Sequence, residues 1–253
     1  MKLLPLRVAL ASVLIHAGCG SSQQVFEVRY DQGVQLRFSG NLEKRSDGVS
    51  LANGLWEFWY ANGERQALGF YESGALPRRV DLNPHETDVP RVGRAGHWTF
   101  WNPKGELTDE GEYQESHKHG PWRAFKEDGD LLFEGKFDHG MAVGTHTRWY
   151  PHGQMKSEIH FDYGLRQGLA SEWNPAGILV RCGPYNADQR VGKHTVWSGS
   201  GQKVEEAAYV DGLLHGLRST WSEDGCLEWS AVYQWGLQQG NFRTYFPSGA
   251  LRQ

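Results

Sequence analysis

The chain lacks the short signatures by which most chemistries are recognised. Across its 253 residues there is no GxSxG, no phosphate-cradling GxxxxGK, no HExxH and no CxxC. The local marks of an esterase elbow, a P-loop, a zinc peptidase and a dithiol or zinc ribbon are therefore missing. Cysteine occurs only at 19, 182 and 226. After the first 18 residues no stretch is long and apolar enough to be a membrane-spanning helix. Charge of one sign is also missing. There are 26 Lys and Arg against 30 Asp and Glu, a formal net of −4, so no basic stripe marks a nucleic-acid surface. Acid pairs such as Glu205-Glu206 are neighbours along one strand and would point to opposite faces, which makes them poor acid–base couples. The expectation is a protein that is not an enzyme, with no catalytic residue, no cofactor, no metal and no nucleic-acid partner.

The abundant residues are glycine, at 32, and the aromatics, with 11 Trp, 10 Tyr and 11 Phe. Many glycines imply many positive-φ turns or close backbone contacts, and that many aromatics argue against disorder. Their spacing is the main signal. Glycines at 96, 120, 144, 168, 192, 216 and 240 recur every 24 residues, and Gly54 starts an earlier unit. With each of these as position zero, position five is Trp59, Trp101, Phe125, Trp149, Trp173, Trp197, Trp221 or Tyr245. Position nine is always glycine, and position seventeen is Tyr71, Tyr113, Phe137, Phe161, Tyr185, Tyr209 or Tyr233.

Each unit reads as one hairpin. A first strand leads to a tight turn such as Ala61-Asn62-Gly63 or Glu127-Asp128-Gly129, where Asn-Gly and Asp-Gly are strong hairpin signals. A second strand follows with period-two alternation. Position fifteen is small in six of seven units (Gly69, Gly111, Gly135, Gly183, Ala207 and Ala231), with Ile159 the exception. A small residue there leaves room for a neighbouring ring. The fold class is therefore all-β, an elongated antiparallel meander or solenoid of about eight hairpin repeats, because a lone hairpin is marginal in water and needs neighbours. Position-five rings are expected to form the repeat core. Trp56, Trp98 and Trp122, at position two, have the other parity and are candidates to face a ligand; the alternative is a bulge that puts both columns in the core. Cys182 and Cys226 fall two units apart, roughly 20 Å at two strand spacings per unit. A disulfide needs Cα atoms within about 7 Å, so both are expected as free thiols.

The segment Gly96-His97-Trp98-Thr99-Phe100-Trp101 … Gly105-Glu106-Leu107 … Glu110-Gly111-Glu112-Tyr113 resembles the variant MORN repeat, as does Gly120-Pro121-Trp122 … Gly129 … Glu134-Gly135-Lys136-Phe137-Asp138-His139-Gly140. The resemblance covers residues 54–253, with an inserted loop at 77–94. It implies a protein-interaction or membrane-associated module and no single activity. Some proteins with such repeats are named YwqK-family antitoxins, so an antitoxin-type binding role is implied by resemblance only.

The first residues resemble a bacterial lipoprotein signal. Lys2 and Arg7 precede an apolar run, Val8 to Ile15, and then His16-Ala17-Gly18-Cys19. On that reading residues 1–18 are removed, Cys19 carries the lipid, and residues 19–53 hold an anchor, a linker and a degenerate capping hairpin. The alternative is an ordinary secretory signal cut after Ala17 or Gly18. The expected place is the cell envelope, with Gly20 resembling outer-membrane sorting. The expected partners are an unidentified protein and the membrane, through the lipid. A glycan or peptidoglycan strand on the position-two tryptophans is the alternative ligand. In the loop, His85, Glu86 and Asp88 could touch a metal or a partner. His117 and His119 lie close together and read as solvated; His215 repeats the place of His119 four units on, about 40 Å away at two strand spacings per unit, too far to share a metal.

Overall fold

Every regular element is a β-strand. The computed structural model describes residues 24–29, 36–74 and 89–252, and among them eighteen strands and no helix. The described residues form two compact units, one up to Asp130 together with Phe137–Gly140, the other Leu131–Lys136 with Met141 onward. The first holds β1 (Gln24–Arg29), β2 (Leu36–Lys44), β3 (Ser50–Trp59), β4 (Arg65–Gly74), β5 (Arg94–Trp101), β6 (Leu107–Gln114) and β7 (His117–Phe125). Each pairs antiparallel with its sequence neighbours. Strand β8 (Leu131–Asp138) is divided between the units.

The second unit continues in the same way. It holds β9 (Met141–Trp149), β10 (Met155–Asp162), β11 (Leu165–Trp173), β12 (Leu179–Asn186), β13 (Gln189–Arg190), β14 (Gly192–Trp197), β15 (Lys203–Val210), β16 (Leu213–Trp221), β17 (Leu227–Gln234) and β18 (Leu237–Thr244). All its pairings are antiparallel. The chain is thus the all-β hairpin meander that the 24-residue spacing predicts. Cys182 and Cys226 are free thiols. The proposed lipid cysteine, Cys19, and loop residues 77–88 with His85, Glu86 and Asp88 lie outside the described residues.

The position-zero glycine marks a bulge. Gly69 faces Trp98 but Phe70 faces Ala95, so Gly96 and His97 are extra on β5. Gly96 has φ 61° there, a conformation that costs glycine little and other residues more. Trp98 then lies flat on Gly69, and its indole Nε1 donates to the carbonyl of Phe70 at 3.0 Å, beside the interrupted ladder. Trp56 donates likewise to Asn41 (3.1 Å) and Trp122 to Glu112 (2.8 Å). A Cβ added at Gly40, Gly69 or Gly111 would meet the indole of Trp56, Trp98 or Trp122 at 2.1, 2.1 or 2.4 Å. At these glycines the space is filled by the ring at the start of the following strand, position two of the next unit.

Two histidines hold the same place in the second unit. His146 covers Gly135 and His194 covers Gly183. Their Nε2 atoms lie 2.8 Å from the carbonyls of Lys136 and Pro184, so each ring is the Nε2–H tautomer and donates. Burial pushes both imidazoles below their ordinary value, more than the carbonyl bonds raise them. The unfolded chain then binds more protons than the folded one. Stability from these sites is full above about pH 6.5 and is lost as pH falls through the lowered folded values. A denaturation series from about pH 7.5 to about pH 5 should show this decline. His146→Gln/His194→Gln keeps an N–H donor but does not titrate, so it should flatten the slope. An unchanged slope would refute this assignment.

The strands between them carry the reverse arrangement. Ile159 occupies position fifteen, and the facing position two is Ala170. A large residue where the others are small is matched by a small one where the others are large.

Candidate functional site

The tryptophans expected to face a ligand do not. Trp56, Trp98 and Trp122 are 0, 0 and 2% exposed and form the core of the first unit. The bulges cancel the simple parity argument, and the indole nitrogens are already bonded to backbone. The expected core column is likewise corrected. Trp59, Trp101, Phe125, Trp149, Trp173, Trp197, Trp221 and Tyr245 are all only half-buried. A register shift between positions four and five, as at Phe100/Trp101, sets this column apart from the first strand's inward rings.

Position seventeen packs edge-on to position two, as in Tyr71 on Trp98 (5.0 Å, 84°) and Tyr113 on Trp122 (5.1 Å, 86°). A cation covers this ring where the sequence allows. Arg94 lies over Tyr113, Lys118 over Phe137, Arg166 over Tyr185 and Arg190 over Tyr209, at 4.1–5.4 Å. Arg94 is buried and also donates to the carbonyls of Val89 and Pro90, at 2.8 and 2.9 Å. The described end of the inserted loop is thereby clasped to the core, which gives residues 89–94 a structural role. One hollow in the second unit, lined by Arg181, Arg190, His194 and Tyr209 among others, has an accessible volume of about 30 Å³. That is room for water and far too little for a typical ligand.

What the surface offers is apolar. Twelve large hydrophobic side chains are exposed in the second unit against five in the first, among the described residues. Six of the twelve recur in register. Met141, Leu165, Leu213 and Leu237 open the first strands, and Tyr163 and Trp235 sit in the two-residue turns before them. These turns are left-handed at both residues: Tyr163 and Gly164 have φ 45° and 83°, Trp235 and Gly236 have φ 51° and 81°. Hairpins with this twist favour Asn or Gly, and a bulky residue there is an outlier. The Gly236 amide donates to Leu214 at 2.8 Å, and Trp235 meets His215 edge-on at 4.9 Å. Leu213, His215, Trp235 and Leu237 thus gather at one turn.

The equivalent turn of the first unit carries ligand-type residues instead. Asp138 Oδ1 lies 2.7 Å from His139 Nδ1 and 3.3 Å from His119 Nδ1. Sequence reasoning weighed His119 with His117 and left Asp138 and His139 aside. Overlaying the residue before position zero on positions eighteen and nineteen would have found them.

The family described as MORN repeat variant matches residues 52–74 and 142–163. These windows fall on the β3–β4 and β9–β10 hairpins. No curated protein matches the chain. A matched repeat unit, recurring through a hairpin meander, makes the chain a repeat scaffold.

Proposed function

We propose that the chain is a binding scaffold, not an enzyme, and that it grips another protein through the apolar turns of its second unit. The observation that carries this is Trp235, 53% exposed in a left-handed turn beside Leu237, which is 71% exposed. Backbone strain of that kind costs about 1–3 kcal/mol, and an exposed ring gains little burial to offset it. Single exposed apolar residues need no explanation, but a recurring set marks an interaction site. The scaffold is further proposed to be exported and held at the cell envelope, in the outer membrane, by lipid on Cys19. The leader-like pattern of residues 1–19 supports that part. The glycan reading loses the indoles it relied on, and the antitoxin reading rests on resemblance alone.

The test compares full-length protein with Trp235→Asn and Leu237→Ser in capture from envelope extracts. Asn-Gly suits this turn, so Trp235→Asn should keep or slightly raise thermal stability while partner capture falls at least about tenfold, roughly 1.4 kcal/mol. Undiminished capture by both variants would sink the proposed surface. In the same cells Cys19→Ser should abolish incorporation of an alkyne-tagged fatty acid and release the protein from the membrane fraction. A wild-type chain that takes up no fatty acid would remove the anchor.

A further inference from the structure

We propose that His119, Asp138 and His139 form a binding site for a divalent transition-metal ion of the zinc type. The donor atoms converge without help from any other chain. Both imidazole Nδ1 atoms approach the same carboxylate oxygen, and the three ligand atoms lie within 4.8 Å of one another. Zinc holds imidazole nitrogen and carboxylate oxygen at about 2.0–2.2 Å, so three ligands around one ion stand about 3–3.6 Å apart. The two spacings to Asp138, 2.7 and 3.3 Å, lie close to that range, and the two imidazole nitrogens are no more than 4.8 Å apart.

The backbone fixes this arrangement. His139 is in the left-handed region (φ 46°), and the Gly140 amide donates to Lys118 at 2.8 Å, which holds the turn against β7. His119 supplies a second observation. Its Nδ1 is shielded from solvent and makes no hydrogen bond, because its approach to Asp138 is not aligned as one. His215 Nδ1 is buried and unbonded in the same way, so what sets His119 apart is the carboxylate and second imidazole that converge on its nitrogen.

The set is confined to one repeat. His215 takes the place of His119 in a later unit, but there Gln234 and Trp235 replace the Asp-His pair. Two imidazoles and a carboxylate suit a borderline ion better than calcium or magnesium, which take oxygen ligands. Three protein ligands leave a fourth position open to water.

The test titrates the full chain with Co²⁺, read by its visible d–d absorption, and with Zn²⁺ by calorimetry. One ion per chain is expected. Affinity should fall at least about tenfold in His119→Gln, Asp138→Asn and His139→Asn, the last of which suits the left-handed turn. His215→Gln and His117→Gln should bind as wild type does. No binding, binding that survives all three substitutions, or equal loss in the two controls would each overturn the proposal. The binding-scaffold reading is tested through other residues and stands or falls separately.

Discussion

Trp98→Ala should destabilise the first unit by about 3–5 kcal/mol, the range for removing a fully buried large aromatic. Chemical denaturation followed by far-ultraviolet dichroism would measure it. The indole is 0% exposed. It stacks on Phe100 at 5.7 Å, meets Tyr71 edge-on at 5.0 Å and lies under the Arg94 guanidinium at 4.7 Å. Truncation opens a cavity, leaves the Phe70 carbonyl without its indole donor and strips one face from a buried cation. Trp173→Ala, at half-buried position five, should cost distinctly less. Equal losses at Trp98 and Trp173 would mean that position two is not the core column.

Gly69→Ile should be comparably severe, because even a methyl group at this position would stand 2.1 Å from Trp98 Cδ2. Overpacking of this kind typically costs about 1–3 kcal/mol and sometimes more. Here the obstacle is a ring held on both sides, so the upper part of that range is expected. The informative measurement is the double variant. Ile159 beside Ala170 is a natural version of Gly69→Ile with Trp98→Ala, and each isoleucine would also face a ring, His146 or Trp56, seated on the preceding glycine. The double variant should therefore be less damaged than the two single losses added together, by about 0.5–3 kcal/mol. Strict additivity would show that the two positions do not share one space.

The repeat itself was legible in the sequence because its causes are local. A bulge needs a residue comfortable at positive φ, as at Gly96, and the ring above position fifteen tolerates no side chain beneath it. The alternation across the second strand also read correctly as a β pattern. What was not legible was which aromatic column is buried. Parity counts from a strand without interruption, whereas each repeat shifts register twice, once at Gly96-His97 and once beside Trp101. Such shifts break the count, so parity alone cannot say which of Trp98 and Trp101 is buried. The turns posed a similar difficulty. Asn-Gly and Asp-Gly signals are clear at Asn62 and Asp128, and among the left-handed two-residue turns at the opposite strand ends Asp211-Gly212 carries one, whereas His139, Tyr163 and Trp235 do not. Nothing in those residue types announces that backbone. The histidine–aspartate cluster spans the end of one strand and the turn after the next, so it shows in the sequence only when the place before position zero is overlaid on positions eighteen and nineteen.

The pairing of Ile159 with Ala170 also bears on how such a chain changes over generations. Over Gly40, Gly69, Gly111, Gly135 and Gly183 a ring of the following strand seats on the glycine before it, so copies of these repeats could be gained, lost or exchanged by unequal crossing-over and still fit. At this one junction the shapes are reversed. A crossover between residues 159 and 170 would set isoleucine against an incoming ring and alanine against an incoming glycine, creating a collision at one seam and a void at the other. These two residues must be inherited together, and they make the fourth and fifth hairpins from Gly54 the part of the array that recombination cannot freely reshuffle.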